Sequence, residues 1–214
     1  GDRIARSAAA MRAGSGRPPL VVSATEPVIA EVLAPALPRL WSRSPGSSIT
    51  LQSQSRLVSL AARDADLAIR MSRPEGASLM ARKLRPLRLG LFASKAYLAG
   101  RSPGELKLRE ERLLVYDDSY GRVPELDWID TGGFGHAVAM RTGSTRALLT
   151  AAIAGAGIAI LVEILARRSG LVEVPAPSPL PTRTPWLIVH RDLRRLPEVR
   201  AVHGWVTEAF ATFN

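Results

Sequence analysis

The sequence predicts an α/β protein built on parallel strands joined by crossover helices, and three observations support this. Short apolar runs such as Leu20-Val21-Val22 and Ile158-Ala159-Ile160-Leu161 have the length and branched content of buried strands. Amphipathic stretches separate them, giving a strand–helix–strand–helix–strand order that calls for crossovers between parallel neighbours. The 214 residues are 46% apolar and 22% charged, a globular composition long enough to bury a core.

Residues 3–13 read as a helix with Ile4, Ala8 and Met11 on one face, stopped by Gly14-Ser15-Gly16. After the strand at 20–22, Thr25 is a candidate N-cap. The helix it opens would bury Val28, Ile29, Val32, Leu33, Leu37, Leu40 and Trp41, with a kink or break at Pro35 and Pro38. Ser44-Pro45-Gly46 is a turn, and Ile49 and Leu51 alternate as in a strand. A short helix from Leu57 to Arg63 leads to a strand at Ala65–Ile69, and Leu84–Phe92 reads as one long strand before a short helix at Lys95–Ala99. In the second half, strands are expected at 113–116, 137–140, 158–161 and 171–174. Ser144 would cap a helix that Gly155 closes. Pro175–Pro185 is a loop, 186–189 a strand, and Leu196–Phe210 a final amphipathic helix.

The formal charge is +10, with only three Lys, and Arg forms no compact block along the sequence; Arg167-Arg168 and Arg194-Arg195 are the densest pairs. A nucleic-acid surface would show clustering, so the charge reads as scattered over solvated faces. No apolar run reaches the roughly 20 residues of a membrane span, and the first residues lack the apolar core of a signal peptide. Cysteine is absent, which excludes disulfides, thiol catalysis and cysteine-ligated zinc. A cytoplasmic location fits.

Enzyme signatures are poor. His136, His190 and His203 are far apart, and no nucleophile elbow, phosphate loop or complete dinucleotide fingerprint is present. Asp117-Asp118 lacks a third carboxylate for a metal, and Gly132-Gly133-Phe134-Gly135 reads as a flexible turn. The expectation is no enzyme, no metal and no cofactor.

Five stretches in order carry a resemblance: LAPALPRLWSRSPG (33–46), RDADLAIRMS (63–72), LGLFASKAYLAG (89–100), GSTRALLTAAIAGAGIAIL (143–161) and WLIVHRDLRRLPEVRAVHGWV (186–206). Across residues 17–211 the chain resembles the effector-binding domain of LysR-type transcriptional regulators. That resemblance implies a periplasmic-binding-protein-like (type 2) fold of two Rossmann-like lobes. Residues 17–90 plus 186–214 would form lobe one and 91–185 lobe two, with residues 1–16 the end of a linker helix and its connector. It also implies a small-molecule effector in the interlobe cleft, a homodimer of this piece through the helices at 26–43 and 144–155, and a tetramer of the full-length protein. DNA would be read by a winged helix-turn-helix that precedes this stretch and is not in it. Val162 stands where the family commonly has Pro, leaving the start of the next helix open. The rival reading is a solute-binding protein of a transporter, which uses the same fold.

Ligands of open parallel sheets sit beyond the carboxyl ends of the strands. Those ends carry Ser23 and Thr25, Ser53 and Gln54, Arg70, and, in the second half, Thr142 and Ser144. Hydroxyls and free helix N–H groups can donate to an anion, and Arg70 can hold a carboxylate. The structural alternatives are plain: Ser23, Thr25 and Ser144 as ordinary helix caps, Arg70 as a solvated strand end or internally paired. By resemblance, Ser119 in the loop Asp118-Ser119-Tyr120 would close over the ligand. Glu26 is the only acid read at these ends, so the expected effector is anionic or strongly polar.

Overall fold

The computed structural model describes residues 18–53, 65–74, 78–120 and 123–213. The helices expected at 3–13 and 57–63, and the candidate Gln54, lie outside the described residues. The chain divides into two compact units: one runs up to Arg85 and resumes at Thr184, the other spans Pro86–Arg183.

The first unit contains strands β1 (Leu20–Ala24), β2 (Ile49–Ser53), β3 (Leu67–Arg70), β4 (Leu79–Lys83) and β11 (Trp186–His190), in the order β2-β1-β3-β11-β4. β1 pairs parallel with β2 and β3, as the alternation of strand and helix requires, while β11 returns antiparallel between β3 and β4. All five residues of β1 are buried, the signature of a central parallel strand covered on both faces. The helix after β1 runs without interruption as α1 (Glu26–Val28), a π turn (Ile29–Leu33) and α2 (Ala34–Arg43). Of the kink or break expected at the prolines, the break is absent. Instead the Ala34 N–H donates to the Ile29 carbonyl five residues back. That widened turn carries the helix onto Pro35, which has no N–H to give. The last helix, α7 (Pro197–Thr212), buries Val199, Val202, Val206 and Phe210 at helical spacing, and the Trp205 indole N–H donates to the Ala36 carbonyl at 2.8 Å.

The second unit contains β5 (Leu87–Ala93), β6 (Leu113–Tyr116), β7 (Val138–Thr142), β8 (Ile158–Val162), β9 (Val172–Val174) and β10 (Thr182–Arg183). β6 lies parallel to β7 and β8; β5 pairs antiparallel with β8, β9 and β10. Alternate residues of its central strands divide between two cores. Leu91, Leu113, Val115, Ile158 and Ile160 pack with Ile129 and Phe134 on one face. Phe92, Leu114, Tyr116, Ala159 and Leu161 pack with Leu148, Ala152 and Ala166 on the other. The helices are α3 (Lys95–Leu98), α4 (Pro124–Thr131), α5 (Thr145–Ile153) and α6 (Glu163–Arg168). α6 starts at Glu163 with no side-chain cap from Val162.

Four expectations need correcting. The strand expected at 84–92 begins only at Leu87: residues 84–86, with Pro86 unable to donate to a ladder, separate β5 of the second sheet from an unexpected β4 in the first. The Leu84 N–H instead donates to the Pro185 carbonyl at 2.9 Å. Helix α4 stands where no element was expected. The loop 175–185 contains the short strand β10, which pairs with Leu87 and Arg88. The turn at Gly132-Gly133 is held: the Arg109 guanidinium donates to both carbonyls, at 2.7 and 2.9 Å, and lies over the Phe134 ring.

Candidate functional site

In the first unit the carboxyl ends of three parallel strands bring Ser23, Ser53 and Arg70 to one edge of the sheet. The register pairs Ala24 with Ser53 and Ser23 with Ala68. Ser23 is buried, and its Oγ accepts from Arg70 Nη2 at 3.0 Å. Arg70 Nη1 donates to the carbonyls of Ser23 and Ile69, at 3.2 and 2.9 Å. These contacts use three of the five guanidinium N–H groups and tie β1 to β3. Partial burial lowers the Arg70 pKa from its ordinary value, though arginine stays charged. The Ser23 hydroxyl, having accepted from Arg70, still has its own proton to donate. Thr25 occupies the N-cap position of α1 but makes no side-chain cap bond. Ser53 is exposed at the end of β2.

In the second unit the ends of β6 and β7 form a second polar group. The Asp117 N–H donates to the Thr142 carbonyl at 3.1 Å, joining the two ends. Ser119 donates to Asp117 Oδ1 through both its N–H and its hydroxyl. The Ser144 N–H donates to Thr142 Oγ1, and Ser144 Oγ accepts the Ala147 N–H, each at 3.2 Å, which caps α5. Gly143 sits between them because a Cβ there would collide with Ser119 Oγ and crowd Asp117. Thr145, at the first turn of α5, shares a 2.9 Å hydrogen bond with the Tyr116 hydroxyl.

Ser119, Thr142 and Ser144 therefore come together, as do Ser23 and Arg70. Sequence reasoning missed Asp117, Tyr116 and Thr145. The expectation that Glu26 is the only acid at the strand ends is corrected, since Asp117 follows β6 directly and holds Ser119. Its signal was a carboxylate placed immediately after an apolar strand. Among the described residues no group of three acids, His or Cys is placed to hold a metal.

Each α/β unit carries hydroxyl and backbone N–H donors at the carboxyl ends of its parallel strands, and the first adds a guanidinium, which is where open α/β sheets of the ligand-binding class take their ligands. Residues 13–211 match the LysR substrate binding domain family, and the chain belongs to that family. It is 27% identical over 185 residues to the Mau operon transcriptional activator of Paracoccus denitrificans, covering 84% of this chain and 60% of that protein. The chain thus spans about 60% of the length of the curated relative it matches. Among solved structures it resembles the regulatory domain of CrgA, a LysR-type regulator from Neisseria meningitidis. That likeness has a TM-score of 0.75 at 22% identity, covering 89% of this chain and 98% of that one. It also resembles the effector domain of AmpR of Pseudomonas aeruginosa, at TM-score 0.70 and 22% identity over 90% and 94% of the two chains. These likenesses establish the shared periplasmic-binding-protein-like α/β fold.

Proposed function

We propose that this chain is the ligand-sensing part of a cytoplasmic transcription regulator and that it performs no catalysis. Its effector is a small anionic or strongly polar molecule, bound by Ser23, Thr25, Ser53, Gln54 and Arg70 of the first unit and by Ser119, Thr142 and Ser144 of the second. The observation that carries this reading is the gathering of hydroxyl and N–H donors at the carboxyl ends of parallel strands in both units. Asp117 adds an acceptor, which suits a carboxylate bearing a hydroxyl or amino group. The family match favours this reading over a solute-binding protein of a transporter. In the full-length protein, ligand binding would shift an equilibrium between two states by its differential affinity for them, and a separate segment would read the DNA.

The test is calorimetric titration of the chain with small hydroxy- and amino-carboxylates and their neutral amides, alongside Ser23→Ala, Arg70→Ala and Ser144→Ala. A carboxylate should bind, its amide should bind more weakly, and each substitution should weaken binding several-fold. At about 100 times its dissociation constant the ligand should add about 2.7 kcal/mol to stability. Preference for neutral or cationic ligands, with all three variants binding like the wild type, would overturn the proposal.

A further inference from the structure

Four arginines of one ten-residue stretch, 191–200, face a common concavity, and the fold brings Arg82 beside them. Arg191, Arg194, Arg195 and Arg200, with Met80, line a cavity of about 640 Å³ in the first unit, between β4, β11 and the start of α7. A second cavity, of about 370 Å³, shares Met80, Arg194 and Arg200 with it. The second has the buried Val189 and Val199 as an apolar floor, and its lining adds Ala81, Arg82, His203 and Gly204. We infer that these joined cavities form a second ligand site, separate from the strand-end donors, for a small organic anion with an apolar body.

Charge is the first support. Among the described residues none of these five guanidinium groups pairs with a carboxylate, and neither Asp192 nor Glu198 lines either cavity. Asp192 faces His190. Collecting uncompensated like charges around a concavity raises the potential inside it and favours an anion. The imidazole of His203 registers that field: burial first, then Arg82 and Arg194, lower its pKa, so it meets a ligand neutral.

Gly204 is the second support, and it is independent of charge. Glycine inside a helix is destabilising by roughly 0.5–1 kcal/mol relative to Ala. A Cβ at 204 would meet nothing within 4 Å, so packing within the chain does not require the glycine. What its absent side chain leaves is space over the apolar floor. Volume and lining suit one flat or short apolar body there, with its anionic group among Arg194 and Arg200.

The experiment uses 2-naphthoate as the probe and neutral 2-naphthamide as its control, titrated by calorimetry while the His203 ring protons are followed by NMR. The chain should bind one naphthoate at this site, the amide at least about tenfold more weakly, and the His203 pKa should rise on binding. Arg194→Gln with Arg200→Gln should weaken naphthoate at least about tenfold, and Gly204→Leu should abolish binding. Ser23→Ala and Arg70→Ala should leave it unchanged, which separates this site from the strand-end one. Equal binding of the amide, or undiminished binding by Gly204→Leu, would overturn the inference. So would random-sequence duplex DNA that binds at physiological salt and is lost in the double arginine variant while naphthoate gives no heat. That result would assign the cluster to a phosphate-backbone surface.

Discussion

Glu125 and Arg183 are both almost fully buried and pair with each other, with the Arg183 guanidinium 5.0 Å from the centre of the Tyr116 ring. One Glu125 carboxylate oxygen is buried without a hydrogen-bond partner among the described residues. Such a pair gives little net stability, but removing one member strands a buried charge. Arg183→Met alone should therefore cost about 3–5 kcal/mol in urea unfolding, and Glu125→Leu with Arg183→Met together should cost clearly less. His203 offers a pH test. Its folded pKa is depressed below its ordinary 6.5, so the unfolded chain takes up the proton first as pH falls. Its contribution is fully present above about pH 6.5 and is lost as pH drops toward the lowered folded value. Thermal melts between pH 7.5 and 5 should show that decline, and His203→Gln should flatten it. At Ser23 and Arg70 the sequence revealed strand-end placement but not the hydrogen bond between the two side chains. Strand-end placement follows from period and order, but the side-chain torsions that turn Arg70 onto Ser23 leave no mark in a string of residue types.

Caps and ladders show where local chemistry was legible. Ser144 was read as a cap and is one; Thr25 was read as a cap, and its side chain makes no cap bond. Ser144→Ala should accordingly destabilise by about 1 kcal/mol. Thr25→Ala should change the melting temperature little while still weakening the effector proposed to contact it. Buried strands were legible because their apolar runs are continuous: β1, β3, β6, β8 and β11 lie where the sequence placed them, within a few residues. β4 was not, since Leu79–Lys83 has two charged residues at an exposed end of the sheet order and lacks an apolar signature. Helix α4 was missed for the same reason: its first turn holds Pro124, Glu125 and Asp127, and its one buried charge is explained only by Arg183, 58 residues away. Arg82's place beside the arginines of 191–200 was hidden likewise, because it joins them only across the β4–β11 pairing.

Among the described residues, the large hydrophobic side chains left exposed are Trp41 and Ile153, on the two helices expected to mediate self-association. Trp41→Glu with Ile153→Glu should shift the chain to monomer in light scattering at concentrations where the wild type is a dimer; a wild-type monomer at high micromolar concentration would remove the basis for that pairing. DNA binding by this chain should be non-specific and fall steeply with salt, as a gel shift against scrambled duplex would show.

The second unit is one unbroken stretch, whereas the first is written in two pieces nearly a hundred residues apart. During synthesis, residues 86–183 have all their sheet partners as soon as they emerge. The first unit cannot finish until β11 arrives to slot between β3 and β4 and α7 comes to rest on α2. Its assembly must close a long loop, which is slow, unless the intervening segment has already condensed and shortened the distance to be searched. The nested layout thus favours an order in which the inserted unit condenses first and shortens the loop that the split unit must close. Residues 86–183 made alone should acquire native-like circular dichroism, while a chain ending before Trp186 should leave its first 85 residues sensitive to protease.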